Sequence, residues 1–307
     1  PASNPGGGAI SVLKGKLNAS EVLFYGFKVT GKGGALSLSS TDPLDRAAIT
    51  NAAFTNNSAT IGGAVYIKDV APSEINNVGV TSGAQADFTN VTFTENTATT
   101  SGSAVYAKST TTDFDSFANL NHTTIVDNPA GANVGVLSGA GVQVSNSIVA
   151  QRLEAGALCN DGVQILFGNL ITDGDSCAVH DKFTFGTKNL SRTVKFAELA
   201  LGKLNETGDV IPYFAIVENL TADVSDPYYL RSAAVDYLET DAGANEYPGD
   251  SVEFDIRGTQ RESVTSGTLK DVGAYEYAPE NRGGHAFPIV TRTGFIRSQN
   301  DQAGENF

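Results

Sequence analysis

The residues that could do chemistry are few and scattered along the chain. The three histidines lie far apart and lack the spacing of a metal site: His122, His180 and His285. Acidic residues crowd into two turns, "TDGDSC" with Asp173 and Asp175, and "DAGANEYPGD" at 241–250. Either turn could hold calcium, but neither follows the EF-hand pattern, and a solvated turn explains both. We therefore predict no metal and no other cofactor.

Cleavage of an acidic polysaccharide needs a proton-abstracting base together with calcium or a basic group that neutralises the uronate. Hydrolysis needs two carboxylates that face one groove. Lys68 and Lys108 follow two similar stretches of sequence, but no carboxylate cluster accompanies them. We interpret these lysines as solvated strand ends and predict that the protein is not an enzyme. A carbohydrate-active protein, either a polysaccharide lyase or a glycan-binding domain, is the alternative.

Cys159 and Cys177 enclose a short segment without metal-type companions, which favours a disulfide over two buried free thiols. In the chain-entropy model such a loop contributes about 3 kcal/mol. A disulfide indicates a location outside the cytoplasm. The chain begins at Pro1 and contains no Met, so we expect an extracellular or cell-surface protein whose export signal was removed, although a trimmed chain looks the same.

The amino-acid composition further narrows the possible fold classes and partners. Of 307 residues, 33 are Gly, 40% are hydrophobic and only 18% are charged, which favours short strands and many turns. The net charge of −14 and the lack of a basic stretch argue against nucleic acid as a partner. No run of about 18 apolar residues exists, so we predict no membrane span. Only "TVKFAELALGKL" at 193–204 has helical periodicity, which predicts a surface helix, with an irregular loop as the alternative.

A six-residue motif that begins with Gly, here called a hexad, is repeated at intervals of 26 to 40 residues. The copies are "GGAISV" (7–12), "GGALSL" (33–38), "GGAVYI" (62–67), "GSAVYA" (102–107) and "GAGVQV" (139–144). Each alternates with period two, which predicts a strand with one buried face. A tight corner that needs positive φ or close backbone approach explains the glycines. Stacked in register, the five strands offer one apolar column.

A second element precedes two of the hexads. "ITNAAFTNNSAT" (49–60) aligns with "FTNVTFTENTAT" (88–99), so that Phe54 meets Phe93 and Asn57 meets Asn96. Asn tolerates the left-handed conformation of sharp corners, and stacked Asn side chains can hydrogen-bond along a stack. These units predict a parallel β-solenoid with irregular corner loops at 68–85 and 109–117 and on the order of ten coils up to residue 278.

The motifs "FTNN", "FTEN", "GGAVY" and "GSAVY" resemble the F-x-x-N and G-G-A repeats of polymorphic outer-membrane-type proteins. "GNLITDGDSC" (168–177), "RSAAVDY" (231–237), "DIRGTQR" (255–261) and "DVGAYEY" (271–277) resemble the closing region of bacterial surface β-helix proteins with a choice-of-anchor domain. The resemblance implies an all-β, single-stranded right-handed parallel β-helix with a C-terminal cap, export from a bacterial cell and a surface or extracellular role. It does not imply an enzyme activity. Such proteins usually continue into an anchor with an apolar helix, whereas residues 279–307 follow here.

We divide the chain into a β-helix over 1–278, with a cap region at 231–278, and a tail over 279–307. Four charged residues of the two last motifs are predicted to pair and to cover the open edge of the last coil: Asp255, Arg257, Arg261 and Asp271. Structural capping explains them better than catalysis does.

The tail carries five apolar residues with few charges between them: Phe287, Ile289, Val290, Phe295 and Ile296. A tail that covers the open edge of the next chain repeats one contact and builds a filament. We therefore predict a homo-oligomer that assembles head to tail through its ends and tails, or an adhesin with surface glycans as further partners. The alternative is that both tails fold back on their own chain.

Overall fold

The structure is a computed structural model, and it describes residues 6–12, 15–39, 46–67, 84–108, 116–131, 133–152, 156–172, 176–177, 191–205, 211–216, 232–234, 238–239, 252–258, 260–261, 269–275, 289–291 and 296–297. The described part is nearly all strand, and its helix is the four-residue α1 (Phe196–Leu199). Parallel strands of successive repeats lie side by side in stacked sheets, which confirms the prediction of an all-β chain built from parallel strands.

Three parallel sheets carry the repeats, and we call the strands from one repeat a layer. Sheet A has six strands, in spatial order β1 (Ile10–Val12), β4 (Leu36–Leu38), β7 (Val65–Ile67), β10 (Val105–Ala107), β13 (Leu137–Ser138) and β16 (Cys159–Asn160). Sheet C pairs β6 (Ser58–Ile61) with β9 (Thr97–Ser101).

Sheet B has thirteen strands: β2 (Asn18–Ser20), β3 (Leu23–Tyr25), β5 (Arg46–Thr55), β8 (Gln85–Thr94), β11 (Phe117–Asn121), β12 (Thr124–Val126), β14 (Val142–Ser145), β15 (Ile148–Ala150), β17 (Gln164–Ile165), β18 (Leu170–Ile171), β19 (Arg192–Thr193), β24 (Ile289–Thr291) and β25 (Ile296–Arg297). Two antiparallel pairs lie outside these sheets: β20 (Leu201–Asn205) with β21 (Tyr213–Ile216), and β22 (Leu238–Glu239) with β23 (Leu269–Lys270).

The first four hexads stack in sheet A with the predicted register. One apolar column runs through Ile10, Leu36, Val65 and Val105. The glycines that lead the hexads are needed both for positive φ and for close approach of the backbone. Gly62 has φ +65°, and a Cβ on Gly63 would stand 2.1 Å from the carbonyl oxygen of Ser103.

The fifth hexad was assigned wrongly. Residues 142–145 form β14, which pairs with β11 and β17 in sheet B. The fifth strand of sheet A is β13, in which Leu137 continues the apolar column to Cys159 of β16. The two strands follow one another here with almost no loop between them. Because Gly135 leads β13 as Gly139 and Gly141 lead β14, the local pattern is the same for both strands.

Each layer of sheet B bends at a left-handed residue. Asn51, Asn90 and Asn146 have φ of 48°, 55° and 50°, which agrees with the predicted role of Asn at corners. Beyond this corner the Phe24 ring stacks on Phe54 at 4.5 Å between centroids, and Phe54 stacks on Phe93 at 5.0 Å. Offset pairs of this kind contribute about 0.5–1.5 kcal/mol each beyond their buried area.

A buried asparagine ladder runs parallel to the phenylalanine stack, which confirms the predicted meeting of Asn57 with Asn96. The Asn57 Nδ2 donates to Asn96 Oδ1 at 2.9 Å, and Asn96 Nδ2 donates to Asn128 Oδ1 at 2.9 Å. The same side chains accept backbone N–H groups of the neighbouring layer, from Phe27 to Asn57 and from Asn57 to Asn96. Each asparagine of the ladder is thus hydrogen-bonded to the asparagine of the next layer, and these bonds fix the spacing of the layers.

The outward face of sheet B is covered by the later part of the chain. Val194, Leu199, Phe214 and Val272 pack with Ile148 and other outward-facing residues of sheet B in a second apolar cluster. Sheet A has six strands in the described residues, and described residues between 191 and 275 lie against the outward face of sheet B. The number of about ten coils stays a prediction. The predicted helix over 193–204 is wrong beyond α1, since Ala200 is left-handed and β20 follows.

Candidate functional site

The strand edges at the two ends of the stack are the candidate sites for recognition of another chain. At the N-terminal end, β3 carries the C-terminal tail. Ile289 pairs with Leu23, Val290 with Phe24 and Thr291 with Tyr25, all in parallel. β25 then pairs antiparallel with β24. Because an open edge presents unpaired N–H and C=O groups to any extended segment, β24 and β25 close the edge of β3. We call these two strands the tail strands.

The tail strands contain three of the five residues predicted to drive assembly, Ile289, Val290 and Ile296. Phe287 and Phe295 lie outside the described residues. The acceptor strand combines an interior and an exterior side: Phe24 is fully buried in the stack, whereas Tyr25 is 46% exposed. In this structure donor and acceptor belong to one chain, which is the alternative that the sequence left open.

The C-terminal edge of sheet A is closed by covalent chemistry. A disulfide joins Cys159 of β16 to Cys177, which confirms the predicted pairing. Ser176 adds two hydrogen bonds, because its Oγ accepts the N–H groups of Leu158 at 3.0 Å and Cys159 at 3.3 Å. Cys159 belongs to β16, the outermost strand of sheet A in the described residues, and Leu158 directly precedes that strand. The disulfide therefore holds a hydroxyl group over the edge that would otherwise receive a further strand.

Residues 252–261 and 269–275, here called the flank segment, contain the predicted cap residues. Asp255 and Arg257 form a buried ion pair, with the guanidinium Nη2 at 2.7 Å from the carboxylate and exposures of 4% and 0% for Arg257 and Asp255. The guanidinium carbon also lies 3.9 Å from the centroid of the Tyr275 ring. Burial raises the pKa of the Tyr275 phenol above its usual value, while the charge of Arg257 opposes that shift.

The flank segment is fastened to the corner of sheet B. Arg261 donates to the Asn90 Oδ1 at 2.9 Å and to the carbonyl groups of Asp271 and Gly273 at 3.2 and 2.8 Å. The backbone N–H of Gly273 donates to the carbonyl group of Asn146 at 2.9 Å. The four predicted cap residues are thus brought together, beside the corners of successive layers. That they close the last coil stays a prediction.

The candidate metal-binding residues do not form a metal site in the described part of the chain. No group of three or more His, Cys, Asp or Glu side chains there could hold a metal ion. Most of the candidates considered from sequence lie outside the described residues, namely Lys68, Asp173, Asp175, His180, His285 and the acidic residues of 241–250. In the same described part, no helix is long and apolar enough to cross a membrane.

Two contacts of the candidate site, made by Ser176 and by Asn90, were difficult to predict from the sequence. Ser176 stands directly before Cys177, and only the predicted disulfide could have directed attention to its hydroxyl group. Asn90 aligns with Asn51 at the same repeat position, but its bonds to Phe254 and Arg261 join residues 164 and 171 positions apart. A local pattern carries no information about partners at such a separation.

The model of the Chlamydia polymorphic membrane protein repeat matches residues 90–108. This stretch contains Phe93 of the aromatic stack, Asn96 of the ladder and Gly102, whose φ is +62°. No curated protein and no solved structure matches the chain. One repeat of this chain is therefore similar to repeats of bacterial outer-membrane surface proteins, and that similarity supports a location at the cell surface.

Proposed function

We propose that the chain is a non-enzymatic structural protein of the bacterial surface or extracellular space, which joins copies of itself by placing tail strands on β3. The parallel pairing of β24 with β3 supports this function, because it shows that the tail fits this edge in a defined register. Main-chain hydrogen bonds supply affinity in strand addition, and the register supplies specificity. A head-to-tail filament is the open form of such an assembly.

The body that presents these edges is, in this proposal, a closed right-handed parallel β-helix. Three sheets in which strands of successive repeats pair in parallel and in register support that architecture. Parallel strands joined by crossover connections are right-handed in about 98% of known cases. A solenoid of this kind has two ends and a long side, so that its ends are the natural places for contact between copies.

One outward face of sheet B is formed by the strand residues that precede the left-handed corner of each layer. The side chains on this face favour a structural role over a carbohydrate-active one. Hydroxyl and amide side chains repeat there in register, at Ser20, Thr50, Thr89, Asn121 and Ser145. Their polar atoms bond to one another, as in the 3.0 Å contact between Thr50 and Ser20. Binding of surface glycans as an adhesin stays a prediction for this face.

Sedimentation velocity and electron microscopy of the full chain, compared with a variant that ends at residue 285, test this function. We expect the full chain to associate as its concentration approaches about 1 mM, the range in which intermolecular pairing competes with a short intramolecular connection. The shortened variant should remain a folded monomer, as checked by circular dichroism. A full chain that stays monomeric throughout this range contradicts self-assembly and leaves the surface location standing.

A further inference from the structure

The donor and acceptor strands lie at the same end of the stack. Ala274, near the end of the flank segment, packs in an apolar cluster with Ala53 and Ile256, and Leu23 of β3 lies against that cluster. The tail strand β24 then begins at Ile289, which pairs with the same Leu23. Ala274 also donates its backbone N–H to Thr124 of β12, three strands from β3 in sheet B, so the connection over 276–288 begins beside β12 and ends at β3.

The connection between these points is much longer than the gap requires. Thirteen residues separate Tyr275 from Ile289, and a chain of that length can span about 45 Å when extended. Three strand spacings of about 4.8 Å separate β12 from β3, which is a gap of about 14 Å. Chain length consequently allows β24 to reach either its own β3 or the β3 of a second copy placed against the same end.

The geometry points to reciprocal exchange: two copies meet at their N-terminal ends, each lends its tail strands to β3 of the other, and a closed two-fold dimer results. This inference rests on the proposed self-assembly through the tail and specifies its partner and its symmetry. Exchange of an identical element preserves every contact of the closed chain and adds the contact between the two copies.

An open head-to-tail arrangement fits the same observations less well. The C-terminal edge of sheet A, which the next copy would meet, is occupied by Ser176 and the disulfide. The two-fold arrangement avoids this obstacle.

A cysteine pair placed in register reports which chain receives the tail. We choose the double variant Tyr25→Cys and Thr291→Cys in the full chain, because these positions are paired and Tyr25 is exposed. The native cysteines are bonded and buried and do not compete. The matched control, Tyr25→Cys with Ile289→Cys, is two residues out of register. After mild oxidation over a series of protein concentrations, products are separated without reductant.

We expect a covalent dimer that increases with concentration and no larger product, while the out-of-register control forms at least tenfold less dimer. A ladder of products beyond the dimer overturns the closed arrangement and favours a filament. Oligomers in sedimentation whose cross-links all lie within single chains overturn exchange and leave self-assembly intact. A protein that sediments as a monomer at every concentration overturns both proposals.

A second measurement keeps the inference testable if the double variant fails to fold. Unmodified full chains of two different isotopic masses are mixed at high concentration and analysed by native mass spectrometry. Exchange predicts mixed dimers in a ratio near 1:2:1, whereas the variant that ends at residue 285 should form none. Dimers of that shortened variant would show that the tail strands are not the joining element.

Discussion

The two ends of the stack are closed by different physical means. At the C-terminal end, a covalent bond between Cys159 and Cys177 holds Ser176 over the edge of β16. At the N-terminal end, three residues of β24 lie on β3 through a backbone ladder. Both devices protect an edge that would otherwise accept a foreign strand. In the proposed assembly the ladder is the element exchanged between copies, so we call the N-terminal end the joining end and the C-terminal end the fixed end.

The largest expected effect comes from the ion pair that holds the flank segment, which leads to the joining end. Arg257→Ala leaves the Asp255 carboxylate buried without its cation, and loss of one partner of a buried pair typically destabilises by about 3–5 kcal/mol. Urea unfolding monitored by circular dichroism measures this loss. We also expect faster hydrogen exchange in the flank segment and in β3, with β16 unchanged.

Arg257→Lys is the matched control for that variant. It retains the positive charge but loses the planar group that lies over Tyr275, so an intermediate loss of stability is expected. Equal losses in both variants would show that the stacking matters more than the charge pair. Faster exchange at β16 as well would mean that the two ends are not independent.

The next largest effect concerns the fixed end. Cys159→Ala with Cys177→Ala should lower the free energy of unfolding by about 3 kcal/mol, because the unfolded chain loses a cross-link. Denaturant titration with and without reductant measures the change, and reductant should have no effect on the double variant. An unchanged tendency to dimerise is expected, since the joining end is intact. Dimer loss in this variant would break the proposed division between the ends.

Removal of the tail strands should change stability less than either of those variants. Cross-strand pairs contribute about 0.2–1 kcal/mol each, so removal of the three pairs on β3 should lower the free energy of unfolding by about 1–2 kcal/mol. Denaturant titration of the variant that ends at residue 285 provides the value. A loss above that of the disulfide variant would indicate that the tail is part of the body instead of an exchangeable cover.

The smallest effect is a dependence on alkaline pH. Because burial raises the pKa of Tyr275 in the folded protein, the unfolded chain releases this proton at lower pH than the folded one. The stabilising contribution is complete below the ordinary tyrosine pKa of about 10 and is lost as pH rises through the folded value. Unfolding titrations between pH 8 and 11 measure the slope. Tyr275→Phe, which keeps the ring beside Arg257, should flatten it.

Sequence reasoning was most successful where a repeat fixes both neighbours of a residue. The period-two alternation and the shared offset of Phe54 and Phe93 predicted the apolar columns, and the aligned Asn57 and Asn96 predicted the ladder. It failed at "GAGVQV", because Gly followed by alternating apolar residues describes strands of both sheet A and sheet B. The helix over 193–204 failed because Leu201 and Leu204 gain more from packing in the second cluster than from helical continuation.

Amino-acid order alone determined the repeating strands, the disulfide and the residues of the tail, since each follows from local period, from spacing or from residue type. Tertiary structure decided which strand receives the tail, which corner holds Arg261 and which hydroxyl group covers β16. These partners are separated by long stretches of chain, and contacts of that kind depend on how the layers align in space. No local pattern encodes that alignment, because it is set by the packing of the entire stack.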